Sequence, residues 1–209
     1  GGISNAGLIS ATATATGTGR NDGLSATAVW VQVSTFTGGI SNSGTILATT
    51  SGAGQEGVPI GIKVSAQSFG GGIGNSGMIS VSASSTVAGG QLSSTGIKVF
   101  ANAFSGGISN SGTIIASAMN TVGDANAYAR GIEVTATTFA GGLSNGGTIS
   151  ANALVNGTGI EMNATGIRFN ASVFSGTIVN SGQIIATASG NTNEVFATGL
   201  SVQASTFSG

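Results

Sequence analysis

Gly106-Gly107-Ile108-Ser109-Asn110-Ser111-Gly112-Thr113-Ile114 decides the fold, because the chain keeps returning to it. The phrase recurs at 1–9, 38–46, 71–79 and 141–149, and in worn form at 176–184. Phe104 stands two residues ahead of it, and most other copies have a Phe at the same place.

Two ladders of equivalent positions follow. Asn5, Asn42, Asn75, Asn110, Asn145 and Asn180 are spaced 37, 33, 35, 35 and 35 residues apart. Phe36, Phe69, Phe104, Phe139, Phe174 and Phe207 are spaced 33, 35, 35, 35 and 33. A second phrase leads into each Phe. It reads Gly61-Ile62-Lys63-Val64, Gly96-Ile97-Lys98-Val99, Gly131-Ile132-Glu133-Val134, Gly166-Ile167-Arg168-Phe169 and Gly199-Leu200-Ser201-Val202, with Ala28-Val29-Trp30-Val31 as a looser first copy.

Both phrases sit on strands. Ile62, Val64 and Ala66 alternate with Lys63, Ser65 and Gln67, the period of two that buries one face of a strand. After the Asn phrase, Ile114, Ala116 and Ala118 alternate with Ile115 and Ser117 in the same way. Helix is disfavoured by frequent Gly, abundant β-branched residues and the lack of any lasting period of 3.6. Ile108 and Asn110 share one face of a short strand. Gly112 then falls where a bend would take positive φ, which Gly adopts freely. An inward Asn at each such turn can bond the backbone and the Asn above and below it. The Phe fills a corner of the same core, stacked on its copies.

Between the phrases the length varies by even numbers. Gly61 to Ala83 and its equivalents are a constant 23 residues. The remainder is 14 residues in 14–27, 10 in 51–60, 12 in each of 84–95, 119–130 and 154–165, and 10 in 189–198. An even step adds one inward and one outward residue and preserves facing. Turn tips are expected at Gly19-Arg20-Asn21-Asp22-Gly23, Gly54-Gln55-Glu56-Gly57 and Gly190-Asn191-Thr192-Asn193.

Such a unit buries its apolar face only by stacking on neighbours. The expected fold is therefore all-β: a parallel β-helix (β-solenoid) of about six coils of roughly 35 residues, forming one domain over 1–209. At about 4.8 Å per coil it would rise roughly 29 Å. Two thin coils per repeat are the rival arrangement. The chain begins at the Gly-Gly of one copy and stops at the same point of the next, which reads as part of a longer array or as a unit that stacks end to end. On either view its partners are itself or flanking repeats.

Composition removes several functions. Only 5% of the 209 residues are charged, the net charge is −1, and Cys and His are absent. Five Lys and Arg make no basic patch, so no nucleic-acid partner is expected. No stretch reaches the ~18 apolar residues of a membrane helix. Disulfides, thiolate metal sites and His chemistry are excluded.

The Ile-Ser-Asn-Ser-Gly-Thr-Ile phrase, with Gly-Ile-x-Val and Phe-x-Gly-Gly, resembles repeats in passenger regions of bacterial autotransporters and haemagglutinin-like surface adhesins. The resemblance spans nearly the whole chain. It implies a right-handed parallel β-helix, outside the cell at the bacterial surface, serving as stalk, fibre or adhesin.

No catalytic, cofactor or metal site emerges. Gly72-Ile73-Gly74-Asn75-Ser76-Gly77 matches a dinucleotide fingerprint as a string, but such a loop must open a helix, and strand residues follow. Calcium-binding solenoid turns need an Asp in each turn, and these carry Asn and Ser. The acids Asp22, Glu56, Asp124, Glu133, Glu161 and Glu194 form no pair in sequence, although stacking could bring Asp124 near Glu161. Polysaccharide cleavage would need paired carboxylates, so no enzyme is expected. Ice binding would need regular Thr columns. The column Thr12, Thr49, Ser82, Ser117, Asn152, Thr187 is mixed, as is Ser10, Leu47, Ser80, Ile115, Ser150, Ile185. Trp30 and Tyr128 read as isolated aromatics. Lys63, Lys98, Glu133 and Arg168 should form one outward column, with Glu133 between two cations. The leading expectation is a non-enzymatic extracellular fibre or stalk, and the alternative is an adhesin for surface glycans.

Overall fold

The computed structural model describes residues 1–16, 23–53 and 56–209. Its strands fall into six rungs. The first holds β1 (Ile3–Asn5), β2 (Leu8–Ala15) and β3 (Gly23–Phe36). The second holds β4 (Ile40–Asn42), β5 (Thr45–Gly52) and β6 (Glu56–Phe69), and the third β7 (Ile73–Asn75), β8 (Met78–Ser85) and β9 (Gly90–Phe104). The fourth holds β10 (Ile108–Asn110), β11 (Thr113–Asn120) and β12 (Ala125–Phe139). The fifth holds β13 (Leu143–Asn145) and β14 (Thr148–Phe174), and the sixth β15 (Ile178–Asn180) and β16 (Gln183–Phe207).

Equivalent strands pair in parallel, rung on rung. The three-residue strands form face A, in the order β1-β4-β7-β10-β13-β15. Face B is β2-β5-β8-β11 continued by the first halves of β14 and β16. Face C is β3-β6-β9-β12 continued by their second halves. The fold is a β-solenoid with one coil per repeat, so the rival of two thin coils is set aside. One short and two long strands already use all of a repeat's inward positions.

The core divides in two. Ile46, Ile62, Val64, Phe69, Ile114 and their copies fill the space between the three faces. Toward the tip, where faces B and C converge, the inward residues shrink to Ala83, Ala118, Ala127, Ala129, Ala151 and Ala153, with Leu92 and Met162 filling gaps. Small side chains let the two sheets approach while keeping close packing.

The even steps in length are absorbed between faces B and C. Five residues separate Ser85 from Gln91, and three separate their pairing partners Gly52 and Glu56. The first rung spends seven residues between Ala15 and Gly23, against three between their partners Gly52 and Glu56. The fifth rung carries its two extra residues as an irregularity between Val155 and Thr158, which pair with the adjacent Gly190 and Asn191. Pairing therefore stays in phase on both flanks.

Two expectations change here. The 190–193 segment is not a turn tip: β16 runs through it as strand. It pairs there with β14, which itself runs through the equivalent segment as strand. Gly112 does not take positive φ. Its need for Gly is steric, because a Cβ there would run into the Gly77 carbonyl of the rung below. Positive φ occurs instead at Gly107 (78°), at Gly52, Gly89 and Gly123 (121°, 81° and 140°), which lie where face B turns toward face C, and at Gly190 (159°) within β16. The expected tip at 19–23 lies outside the described residues except for Gly23, as do Gly54 and Gln55 of the second.

Candidate functional site

The corner formed by the Asn phrase is a hydrogen-bond relay. Asn42 Nδ2 donates to Asn75 Oδ1 at 2.7 Å, Asn75 to Asn110 at 2.8 Å, Asn110 to Asn145 at 2.8 Å and Asn145 to Asn180 at 2.7 Å, while Asn5 donates to Asn42 at 2.7 Å. Each amide also donates to the carbonyl two residues on, as Asn110 does to Gly112 at 3.3 Å. The backbone carbonyl of Asn75 accepts from the amides of Ser111 and Gly112 at 2.8 and 3.1 Å. Every polar group of this buried corner is thus used by the next rung. The relay also has direction, with donors toward the sixth rung and acceptors toward the first.

The Phe column runs beside it. Phe36, Phe69 and Phe104 stack with centroids 5.3 and 4.6 Å apart. Phe139 tilts to admit Phe169, which the fifth rung carries where the others have Val. Phe174 then stacks on Phe207 at 4.9 Å. Both ladders are interior or corner structure and offer no chemistry to a ligand.

All the described charged side chains lie on face C or on the turns leading to it. Trp30, Lys63, Lys98, Glu133, Arg168 and Ser201 form one outward column. Lys63 Nζ lies 4.9 Å from the Trp30 ring centre, and Lys98 Nζ lies 5.2 Å from that of Phe100, so both cations rest on aromatic faces. Lys98 also pairs with Glu133 at 3.1 Å. The second cation at Glu133 is not Arg168 but Arg130, at 3.6 Å. The chain bends at Gly131, and this brings residues three apart onto one side. The sequence signal was a charged pair straddling a repeat glycine.

Tyr128 is not isolated. Its hydroxyl donates to Glu161 Oε2 at 2.9 Å, and Arg130 lies 5.8 Å from its ring centre. Burial raises the Tyr128 pKa above its ordinary 10.0, and the Glu161 carboxylate adds to the rise through the hydrogen bond and its charge. Glu161 stands over Asn126, whose Oδ1 accepts its backbone N–H at 3.1 Å. Its side-chain oxygen goes to Tyr128 rather than toward an acid pair with Asp124.

Where face C bends toward the Phe column, Phe100, Asn102, Thr135, Thr137, Asn170 and Ser172 edge an open groove of about 460 Å³. Its floor includes Ala101 and Ala136. Phe100 is 41% exposed. Amides, hydroxyls and one aromatic ring line it.

The remaining strings resolve locally. Gly72–Gly77 holds the strand β7 and a corner, and β8 follows it directly. Among the described residues, no group of three or more Asp and Glu is placed to hold a metal ion, and no helix is long and apolar enough to cross a membrane. Comparison with protein-family models, with curated proteins and with solved structures found no match.

Proposed function

We propose that the chain is a structural rod, a segment of an extracellular β-solenoid fibre or stalk at a bacterial surface. Its work is to hold length and shape, and the reading assigns it no catalysis. The observation that carries it is the continuity of the ladders into the sixth rung. Phe207 there is 56% exposed, although its copy Phe174 is fully buried. Leu200 and Val195 are 42% and 47% exposed where Ile167 and Met162 are fully buried. The sixth rung thus repeats the pattern of the inner rungs, and stacked growth, through flanking repeats or a second copy, belongs to the proposal. An open coil otherwise presents unpaired strand edges and apolar surface to water. The resemblance of the repeat to adhesin and autotransporter passengers supports the extracellular setting.

Electron microscopy of the purified chain tests self-stacking. Filaments many rungs long support it, and uniformly dispersed short particles contradict it.

A second reading, adhesion to a glycan, is favoured by the groove around Phe100, where an exposed ring lies beside Asn102 and Asn170. Aromatic faces with nearby amides suit sugar rings, which present both C–H and hydroxyl groups. A glycan array read with the chain and with Phe100→Ala tests it: binding lost in the variant supports adhesion, and no binding by either contradicts it.

A further inference from the structure

Face B carries no charged residue. Its outward positions form four columns: Leu8, Thr45, Met78, Thr113, Thr148, Gln183; then Ser10, Leu47, Ser80, Ile115, Ser150, Ile185; then Thr12, Thr49, Ser82, Ser117, Asn152, Thr187; then Thr14, Ser51, Ser84, Met119, Leu154, Ser189. Pairing within this face is unbroken from Thr113 to Asn120 and from Thr148 to Val155, so the face is regular.

The second column alternates. Ser, Leu, Ser, Ile, Ser and Ile follow one another from the first rung to the sixth. Large side chains stand out every second rung, about 9.6 Å apart on a 4.8 Å spacing, with a Ser-sized hollow between each two.

We infer that face B is a self-association surface on which two copies of the chain pack face to face with their solenoid axes antiparallel. A two-fold axis lying along the strand direction reverses the order of rungs and keeps each column opposite itself. With the third rung opposite the fourth, Ile115 of one copy meets Ser80 of the other, Leu47 meets Ser150 and Ile185 meets Ser10. The same operation sets Met119 on Ser84 and Leu154 on Ser51 in the fourth column, and Met78 on Thr113 in the first. No two large aliphatic side chains collide in any column. A parallel pairing keeps rungs level but reverses the strand direction, so the second column faces the third: Ile115 meets Ser117 and Ser80 meets Ser82, which leaves that hollow unfilled.

The size fits. Strands of eight residues across six rungs cover about 26 Å by 29 Å, or about 750 Å². A stable isologous interface needs about 800 Å² from each partner. Absence of charge removes the desolvation cost that would oppose such packing on face C. This lateral pairing is separate from rung-on-rung growth and uses a different surface.

Sedimentation equilibrium and crosslinking test it. The chain should sediment at twice the mass of one copy, and Ile115→Lys should return it to one. Ser80→Leu, which fills the hollow without adding charge, should do the same, so that a folding defect in one variant leaves the other to decide. The chain has no cysteine of its own, so a short bismaleimide should join Ser10→Cys chains to Ile185→Cys chains, which face each other across the antiparallel pair, and fail to join Ser10→Cys chains to one another, which lie five rungs or about 24 Å apart. A monomeric chain overturns the inference. So does crosslinking of Ser10→Cys to itself, which marks parallel packing, and so does association untouched by both face-B variants, which marks growth through the rung ends. A monomer that adsorbs to ice or to an uncharged crystalline polysaccharide through face B also overturns it.

Discussion

Asn110 Nδ2 donates to Asn145 Oδ1 at 2.8 Å while Asn110 Oδ1 accepts from Asn75 at 2.8 Å. The residue is 1% exposed, so water does not replace either bond once the side chain is removed. Asn110→Ala leaves a buried donor below and a buried acceptor above short of a partner. It should cost about 2–4 kcal/mol, at roughly 1–3 kcal/mol per unsatisfied group. Asn180 accepts from Asn145 at 2.7 Å and donates to Gly182 at 3.2 Å, but it is exposed and water can take over both bonds, so Asn180→Ala should cost about 1 kcal/mol or less. Urea denaturation of both variants checks the contrast.

The glycines of the second phrase make a different kind of demand. A Cβ at Gly131 would overlap Ile149 Cγ2 and the Gly166 carbonyl. Gly131→Ala should therefore destabilise by about 3 kcal/mol, at the upper end of overpacking costs. Gly74 stands where four of the five other copies of the phrase have Ser, and a Cβ there would meet nothing within 4 Å. Gly74→Ser should stay within about 0.5 kcal/mol of the parent. Thermal melts of the pair distinguish steric need from mere repetition.

Thr50 is fully buried and its hydroxyl finds no partner among the described residues. It occupies a column filled by Ala83 above it. Thr50→Val keeps the shape and removes the stranded hydroxyl. It should stabilise by about 1 kcal/mol, the low end of the penalty for a buried unsatisfied group. A raised denaturation midpoint with unchanged slope is the expected result.

Tyr128 is the one tyrosine in the chain, so its phenolate absorbance can be titrated without interference. Its pKa is raised in the fold from 10.0. The contribution to stability is therefore fully present below pH 10.0 and is lost as pH rises through the folded value. Glu161→Gln removes the carboxylate that resists ionisation, and the titration midpoint should move down toward the ordinary phenol. An unchanged midpoint would leave burial as the whole cause.

Much of this architecture was legible because repetition converts spacing into geometry. The columns of Asn and Phe followed from positions alone, and so did the outward column from Trp30 to Ser201. What was missed depended on distances between rungs. Gly112 suits a positive φ by its place in the phrase, but its constraint is the carbonyl of the rung below, which no local pattern reveals. Arg130 was passed over as a partner of Glu133 because the bend at Gly131, not the strand period, brings them together. The segment 190–193 looks like a tip by composition. It stays in strand because it pairs with the continuous strand of the fifth rung, which local composition does not reveal. The fit of face B to a second copy needed the columns laid side by side across six rungs.

Deleting residues 106–140 removes one complete repeat of 35 residues and joins Ser105 to Gly141, restoring the Phe-x-Gly-Gly phrase. If one repeat is one coil, the shortened chain should unfold cooperatively, and small-angle scattering should show a rod shorter by about 4.8 Å. Deleting about half as many residues should abolish the fold, because faces would change places and inward residues would turn outward. A half-repeat deletion that folds as well as the full one would contradict the single-coil solenoid and the ladders built on it.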